Sequence, residues 1–427
     1  MPSAARVRAF SVLRALDADR GTLAEHLALA ETGLDDPRER GFLQELVLGT
    51  LRARGRLDHA LASLLDRPLP RVDAAALAAL RLGAYQILDL RVPDRAAVSE
   101  SVDLVRVEAP AAGGFVNAVL RRLAREGARP LPDPERQPEA WLASAGSLPA
   151  WLASRWLKQL GASEAVARAR AFLQKPRTAL RLNPRVAEAR GKVLEAGIEL
   201  LPLSLPGAFE ARGGPLAALA EAGLIYVQDQ GSQLVAHLAA GPGQVLDACA
   251  APGGKATLMA ELGENRSVVA TEPGARRRDA MAGLLRRWGT PNVRVVGADA
   301  RRPPFAHGCF DSVLLDAPCS GLGTLGRHPD IRWRTSEADI QRHARLQSTL
   351  LTSLAPLVRK GGRLTYATCS SEPEENEQVV SAFLSSDSRF RLEPMPSWAA
   401  AFADGFYART GRDGAGDLFF AALLRRV

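Results

Sequence analysis

Apolar positions recur at helical spacing through Val7–Leu16, Phe42–Leu51, Leu57–Leu65 and Ala74–Leu88, with no alternating strand pattern among them. This predicts an all-helical segment over residues 1–127. Asp35-Asp36-Pro37, Arg67-Pro68-Leu69-Pro70 and Val92-Pro93-Asp94 read as breaks, and a last helix runs from Gly114 through Val119 to Leu123. Residues 128–146, with Arg129-Pro130-Leu131-Pro132-Asp133-Pro134-Glu135-Arg136, have the composition of a linker. From Ser147 the pattern is globular again. Pro149-Ala150-Trp151-Leu152 opens a helix whose Trp151 and Trp156 suit a core. Thr178–Asn183, Leu200–Leu203 and Leu224–Val227 read as strands, and Ala187–Ala196 as a helix ended by Gly197. A small α+β domain is expected over residues 147–232.

From residue 233 the apolar runs alternate with helical patterns. Val245–Asp247, Ser267–Glu272, Val293–Val296, Phe310–Asp316 and Arg363–Thr368 read as successive strands, followed by Phe390–Glu393 and Leu418–Leu423 as an antiparallel pair. The expected fold of residues 233–427 is an α/β domain with a mostly parallel, doubly wound sheet. The first strand leads into Asp247-Ala248-Cys249-Ala250-Ala251-Pro252-Gly253-Gly254-Lys255, a small-residue turn that opens a helix. Such a turn lets backbone approach a ligand, and the helix start offers N–H groups. Its spacing fits neither G-x-x-x-x-G-K-[ST] nor G-x-G-x-x-G.

Four strand ends carry acids, namely Asp247, Glu272, Asp299 and Asp316. In this architecture ligands bind beyond the carboxyl ends of the strands. Glu272 stands where an acid would hold a ribose diol, and Asp299 can accept from an adenine amine. No arginine-rich diphosphate pocket is evident. An adenosine cofactor without phosphates, S-adenosylmethionine, fits best.

The length of 427 residues calls for more than one domain, and no apolar run approaches the roughly 20 residues that span a membrane. The N-terminus lacks the apolar stretch of a signal peptide, so a cytoplasmic chain with no membrane partner, acting as a monomer, is expected. The formal charge of +8 favours an anionic partner such as nucleic acid, with Arg52, Arg54, Arg56, Arg121, Arg122 and Arg125 as candidates for phosphates. A solvated helix face is the plainer explanation of such a cluster. The four cysteines (Cys249, Cys309, Cys319, Cys369) form no C-x-x-C pair, which argues against a zinc site. Cys319 and Cys369 each follow a strand directly. A cysteine there is a nucleophile only as thiolate, and two of them beside Asp316 point to covalent catalysis.

Specific strings sharpen this reading. Arg38-Glu39-Arg40-Gly41-Phe42 through Leu48-Gly49-Thr50, Leu80-Arg81-Leu82-Gly83-Ala84-Tyr85-Gln86 and Gly114-Phe115-Val116-Asn117-Ala118-Val119-Leu120-Arg121 resemble the NusB-like RNA-binding domain. Asp247–Lys255, Asp316-Ala317-Pro318-Cys319-Ser320-Gly321 with Gly323-Thr324 and His328-Pro329-Asp330, and Ala367-Thr368-Cys369-Ser370 with Glu375-Asn376-Glu377 resemble the RNA cytosine-5 methyltransferase family. The resemblance implies a small RRM-like domain ahead of a Rossmann-like methyltransferase domain. It implies Cys369 as the nucleophile toward C6 of cytosine, Cys319 as the group that assists loss of the C5 proton and release, and Asp316 near N3 of the base. Asp247, Cys249, Ala250, Ala251, Pro252, Gly253, Gly254, Lys255, Glu272, Asp299 and Asp316 would line the cofactor site, with no metal. Together with the helical segment, the resemblance implies 16S ribosomal RNA as substrate, at the cytosine numbered 967, presented single-stranded or flipped out.

Against the family pattern, Glu272 stands where Asp is commoner, and Gly326 and Leu418 replace residues often seen as Arg and Gly. Two other substrates stay open, tRNA and another ribosomal site. A DNA cytosine methyltransferase would leave Cys369 without a role. A non-catalytic ribosome-assembly factor would leave Cys319, Asp316 and Cys369 without one.

Overall fold

The computed structural model describes residues 2–90, 92–263, 266–411 and 416–427. The chain divides into two compact units, Met1–Lys175 with Leu325–Thr335, and Pro176–Thr324 with Ser336–Val427.

The first unit is helical. Its helices are α1 (Ala4–Asp17), α2 (Leu23–Glu31), α3 (Pro37–Ala62), α4 (Ala74–Leu88), α5 (Asp94–Glu108), α6 (Gly113–Glu126), α7 (Pro138–Ala143) and α8 (Ala150–Leu173). Starts are set by side-chain caps: Thr22 and Glu25 cap α2 reciprocally, Asp36 precedes Pro37 at the start of α3, and Asp73 accepts from the amides of Ala75 and Ala76. Leu43, Leu46, Leu57, Leu61, Leu80, Leu82 and Leu120 form the centre of the core.

Two expectations change here, while the patterns at 42–51 and 57–65, with no break expected between them, follow one another along a single helix, α3, that ends at Ala62. The Gly55 amide donates to Ser147 Oγ at 2.8 Å. The supposed linker is structured at its end, where α7 buries Trp141 and Leu142. Helix α8, grouped by sequence with the following sheet, lies in the first unit, since α7 packs on it and Trp156 is fully buried.

Residues 325–335 also belong to this unit, and Ile331–Arg334 form a short helix (α14 in chain order, after α9–α13 below). Trp333 Nε1 donates to Leu51 O at 3.0 Å, Arg332 to Ser147 O at 3.2 Å, and Arg52 to Gly326 O at 2.9 Å. Arg54 lies over the Trp333 ring and pairs with Asp17; Arg56 pairs with Asp89. Three of the arginines expected to meet phosphates are thus engaged within the unit. Arg122 and Arg125 both pair with Glu126. Arg121 lines a groove between α5 and α6 together with Arg95, Arg106 and Arg125.

The second unit opens with β1 (Ala179–Leu182), α9 (Ala189–Glu195), β2 (Glu199–Pro202), β3 (Ala208–Arg212), α10 (Leu216–Glu221) and β4 (Ile225–Val227). The strands form an antiparallel sheet in the order β2-β3-β1-β4, a split βαβ arrangement. Strand β3 carries no clear apolar alternation and was not foreseen, yet it lies at the middle of the sheet, with Phe209 opposite Leu180.

Next come α11 (Gln230–Ala239), β5 (Gln244–Asp247), α12 (Gly254–Glu261), β6 (Ser267–Thr271), α13 (Ala275–Trp288), β7 (Val293–Val296) and β8 (Phe310–Asp316). The chain ends with α15 (Glu337–Leu354), β9 (Val358–Thr368), α16 (Glu377–Ser386), β10 (Phe390–Glu393), β11 (Ala403–Asp404), β12 (Tyr407–Arg409) and β13 (Phe420–Arg426). The sheet order is β7-β6-β5-β8-β9-β13-β12-β11. Strands β5 to β9 are parallel, and β13 runs antiparallel beside β9. The expected pair of β10 with the last strand is present, but β12 shares the same edge of β13. Strands of two or three residues are too short to show a period. The winding reverses between β5 and β8, so the crevice for a ligand opens beyond Asp247 and Asp316. Among the described residues no helix is long and apolar enough to cross a membrane.

Candidate active site

Strand β5 is buried on both faces and ends at Asp247. The chain then turns through a cis Ala251–Pro252 peptide and Gly253, whose φ of +107° only glycine adopts without strain. Helix α12 starts at Gly254, close against the Tyr226 ring. The small sheet holds this helix through Arg181 on β1. That guanidinium lies 5.2 Å from the Tyr226 ring centre and 4.6 Å from that of Trp288. It donates to Glu261 at 2.7 Å, to Gly254 O at 3.3 Å, and to Thr257 Oγ1. Burial works against its charge, and Glu261 offsets that cost.

The strand-end acids surround Cys249. Burial first, then the charges of Asp247, Asp316, Glu272 and Asp299, drive its thiol well above the usual range, so it stays protonated and inert. Asp247 is 1% exposed, and neither carboxylate oxygen makes a well-formed hydrogen bond. Burial and the nearby charge of Asp316 push it up to about 7. Glu272, also buried, accepts from the Gly274 amide at 2.7 Å and from Arg277 at 2.9 Å. Asp299 behaves differently: it is half-exposed, and Arg301 grips both its oxygens.

These residues fit S-adenosylmethionine. An orphaned buried carboxylate at Asp247 needs a cationic or N–H partner, Glu272 suits a diol, and the concentration of carboxylates repels phosphate.

The two cysteine loops meet beyond β8 and β9. The Ala317 amide donates to Ala367 O at 2.8 Å, extending the strand pairing past Asp316. The Gly323 amide donates to Cys369 O at 3.0 Å, and the Leu418 amide to Gly323 O at 2.8 Å. This brings Cys319 Sγ to 3.2 Å from Cys369 Sγ. The hydrogen bond to Cys369 and burial hold the Cys319 thiol far above its ordinary range. Cys319 therefore keeps its proton. Lys255 reaches across from α12 and bonds Asp316 Oδ2 at 2.7 Å. Burial opposes the Lys255 charge, but Asp316, Asp247 and Cys369 together raise it. A cation thus stands beside the Asp316 carboxylate at the end of β8.

Four further residues complete the constellation: Glu375, Gln347, Ser320 and Ser370. Glu375 is fully buried and accepts from Ser320 and Ser370 Oγ, each at 2.5 Å. The Glu375-Asn376-Glu377 string marked the place, but only the fold reveals what it holds. Two thiols in contact and a carboxylate–ammonium pair can together attack an electron-poor carbon and later remove a proton.

The family pattern described as 16S rRNA methyltransferase RsmB/F matches residues 237–425, and that of the NusB family matches residues 3–125. A ribosomal RNA small subunit methyltransferase B of Pseudomonas putida is 38% identical over 397 residues, covering 89% of this chain and 88% of its own. A Mycobacterium tuberculosis protein, named as a candidate methyltransferase with no substrate given, is 37% identical across 99% of this chain and 96% of its own. The crystal structure of a protein designated PH0851 superposes with a TM-score of 0.82 at 26% identity, covering 100% of this chain and 99% of the other.

Proposed function

The chain belongs to the RsmB/F family of 16S ribosomal RNA methyltransferases, and from that premise we propose that it methylates C5 of one 16S ribosomal RNA cytosine, numbered 967, through a covalent bond from Cys369 to C6. It is an S-adenosylmethionine-dependent RNA cytosine-5 methyltransferase with an N-terminal NusB domain. The observation that carries the proposed chemistry is the 3.2 Å approach of the two thiols beside the Lys255–Asp316 pair.

S-adenosylmethionine, held by the Cys249–Lys255 turn with Asp247, Glu272 and Asp316, supplies an electrophilic methyl group that ends on C5. Cys369 Sγ bonds to C6, and the C5=C6 π pair moves into the ring. Asp316 meets the N3–N4 edge, and Lys255 keeps a cation next to the charge developing there. Once Cys369 is a thioether it no longer holds the Cys319 proton in place. Cys319 can then give its own proton to solvent and, as thiolate, take the C5 proton. The C6–S bond breaks as C5=C6 reforms, and Cys369 leaves as thiolate. Cytosine C6 is unreachable inside a stacked helix, so the substrate base is single-stranded or flipped out. The names of the ribosomal relatives support a small-subunit RNA substrate.

The test is incubation with radiolabelled S-adenosylmethionine and unmethylated 16S ribosomal RNA, then bisulfite sequencing. One 5-methylcytosine at position 967 is expected. Label in tRNA alone would overturn the substrate and keep the chemistry. Label at another ribosomal cytosine would overturn the position.

A further inference from the structure

The two thiols are chemically alike, equally half-buried and in contact, yet only one of them is to attack. We propose that Glu375 is a positioning residue that locks the two cysteine loops in register and reserves the attack on C6 for Cys369. This rests on the reading that Cys369 forms the adduct.

The geometry is that of a clamp. The Ser320 amide donates to Glu375 Oε1 at 2.8 Å and the Ser320 hydroxyl to Oε2 at 2.5 Å. The Ser370 hydroxyl donates to the same Oε2 at 2.5 Å. Ser320 and Ser370 are the residues immediately after Cys319 and Cys369, so one carboxylate ties both loops one residue from each sulfur. Gln347 on α15 donates to Oε1 at 3.1 Å and to Pro318 O at 3.0 Å, closing the clamp from behind. Tyr366 OH donates to the Glu375 carbonyl at 2.5 Å. Among the described residues every hydrogen-bond partner of the carboxylate is a donor, which suits an acceptor-only side chain.

Charge is distributed unequally across the sulfur pair. The Glu375 carboxylate acts on Cys319, where a negative neighbour disfavours a thiolate, and the tyrosine beside them, Tyr366, brings no positive charge. The Lys255 ammonium lies within electrostatic reach of Cys369. The same residue that fixes the loops therefore also separates the roles of the sulfurs.

The test is competitive alkylation of the full-length protein with limiting iodoacetamide, with Cys319 and Cys369 occupancies read by peptide mass spectrometry. Wild type should label Cys369 first. Glu375→Gln keeps size and removes charge, and should lower the Cys369-to-Cys319 labelling ratio by at least about tenfold, the effect of one unit in relative acidity. Ser370→Ala removes a donor and keeps the charge. Its labelling ratio should stay near wild type while kcat falls and KM changes little. An unchanged ratio in a Glu375→Gln protein that still binds cofactor would overturn the proposal. Should that variant fail to bind cofactor, the Ser320→Ala/Ser370→Ala double variant decides: wild-type kcat would overturn the clamp, and a loss of at least about fivefold at unchanged KM would support it. Wild-type protein that labels Cys319 first would overturn the choice of Cys369 itself, a separate failure.

Discussion

The Sγ atoms of Cys319 and Cys369 lie 3.2 Å apart, although 50 residues separate them in the chain. At that distance one thiol hydrogen-bonds the other, and removing either changes the surroundings of its neighbour. Cys369→Ala should abolish both turnover and the covalent protein–RNA adduct. Cys319→Ala should permit attack and slow release, so that an adduct accumulates on a denaturing gel. Adducts in Cys369→Ala and none in Cys319→Ala would reverse the two roles.

Arg181 is a buried cation whose ion pair with Glu261 is buried with it. Arg181→Met should destabilise the protein by about 3–5 kcal/mol, because it takes the buried cation from Glu261 and leaves that carboxylate only Trp288 Nε1 and the more exposed Arg185. Arg181→Met/Glu261→Gln should recover part of that loss. Chemical denaturation measures both, and cofactor affinity should fall with Arg181→Met because α12 loses its anchor.

Asp247 is pushed up to about 7 and His237 down to about 4, the first by burial and Asp316, the second by burial and Arg181. An unfolded aspartate ionises near about 3.9, so folded protein binds the extra proton between there and about 7. Asp247 therefore makes stability fall as pH rises through that window. An unfolded histidine takes its proton below about 6.5, which the folded one refuses until about 4, so His237 makes stability fall as pH drops. The slopes oppose each other. Asp247→Asn should leave a melting profile that rises from pH 4 to 7, and His237→Asn one that falls.

The same carboxyl predicts a proton count. A cationic cofactor favours ionised Asp247, so binding near pH 6 should release up to about one proton. Calorimetry in buffers of different ionisation enthalpy measures it, and Asp247→Asn should show no release.

Gly323 sits where a Cβ would press on the carbonyl oxygens of Leu418 and Cys369. Those atoms are backbone and cannot step aside cheaply. Gly323→Ala should therefore lower kcat by at least about tenfold, as a misplacement of the sulfurs by a fraction of an ångström does. Cofactor affinity should be unchanged.

The parallel strands β5 to β9 were legible because each is a short apolar run with an acid or cysteine where it ends. Strands β3, β11 and β12 were not. A strand of two to five residues with mixed side chains is selected by its neighbours rather than by its own pattern. The acids at strand ends were legible, but their differences were not: Asp247 is orphaned, Glu272 is held by an amide and an arginine, and Asp299 is taken by Arg301.

By itself the sequence determined the order of the domains, the class of fold, the turn at Asp247–Lys255 and the two cysteine motifs. All of these depend on residues near one another in the chain, where periodicity and turn chemistry act. Only the tertiary structure decided that the two sulfurs touch, that Lys255 pairs with Asp316, that Arg181 anchors α12, and that Glu375 joins the cysteine loops. It also decided that residues 325–335 belong with the helices. These are contacts across tens to hundreds of residues, made by side chains whose partners are chosen when strands pair and helices pack. Burial then sets their charges, and burial is a property of the folded chain.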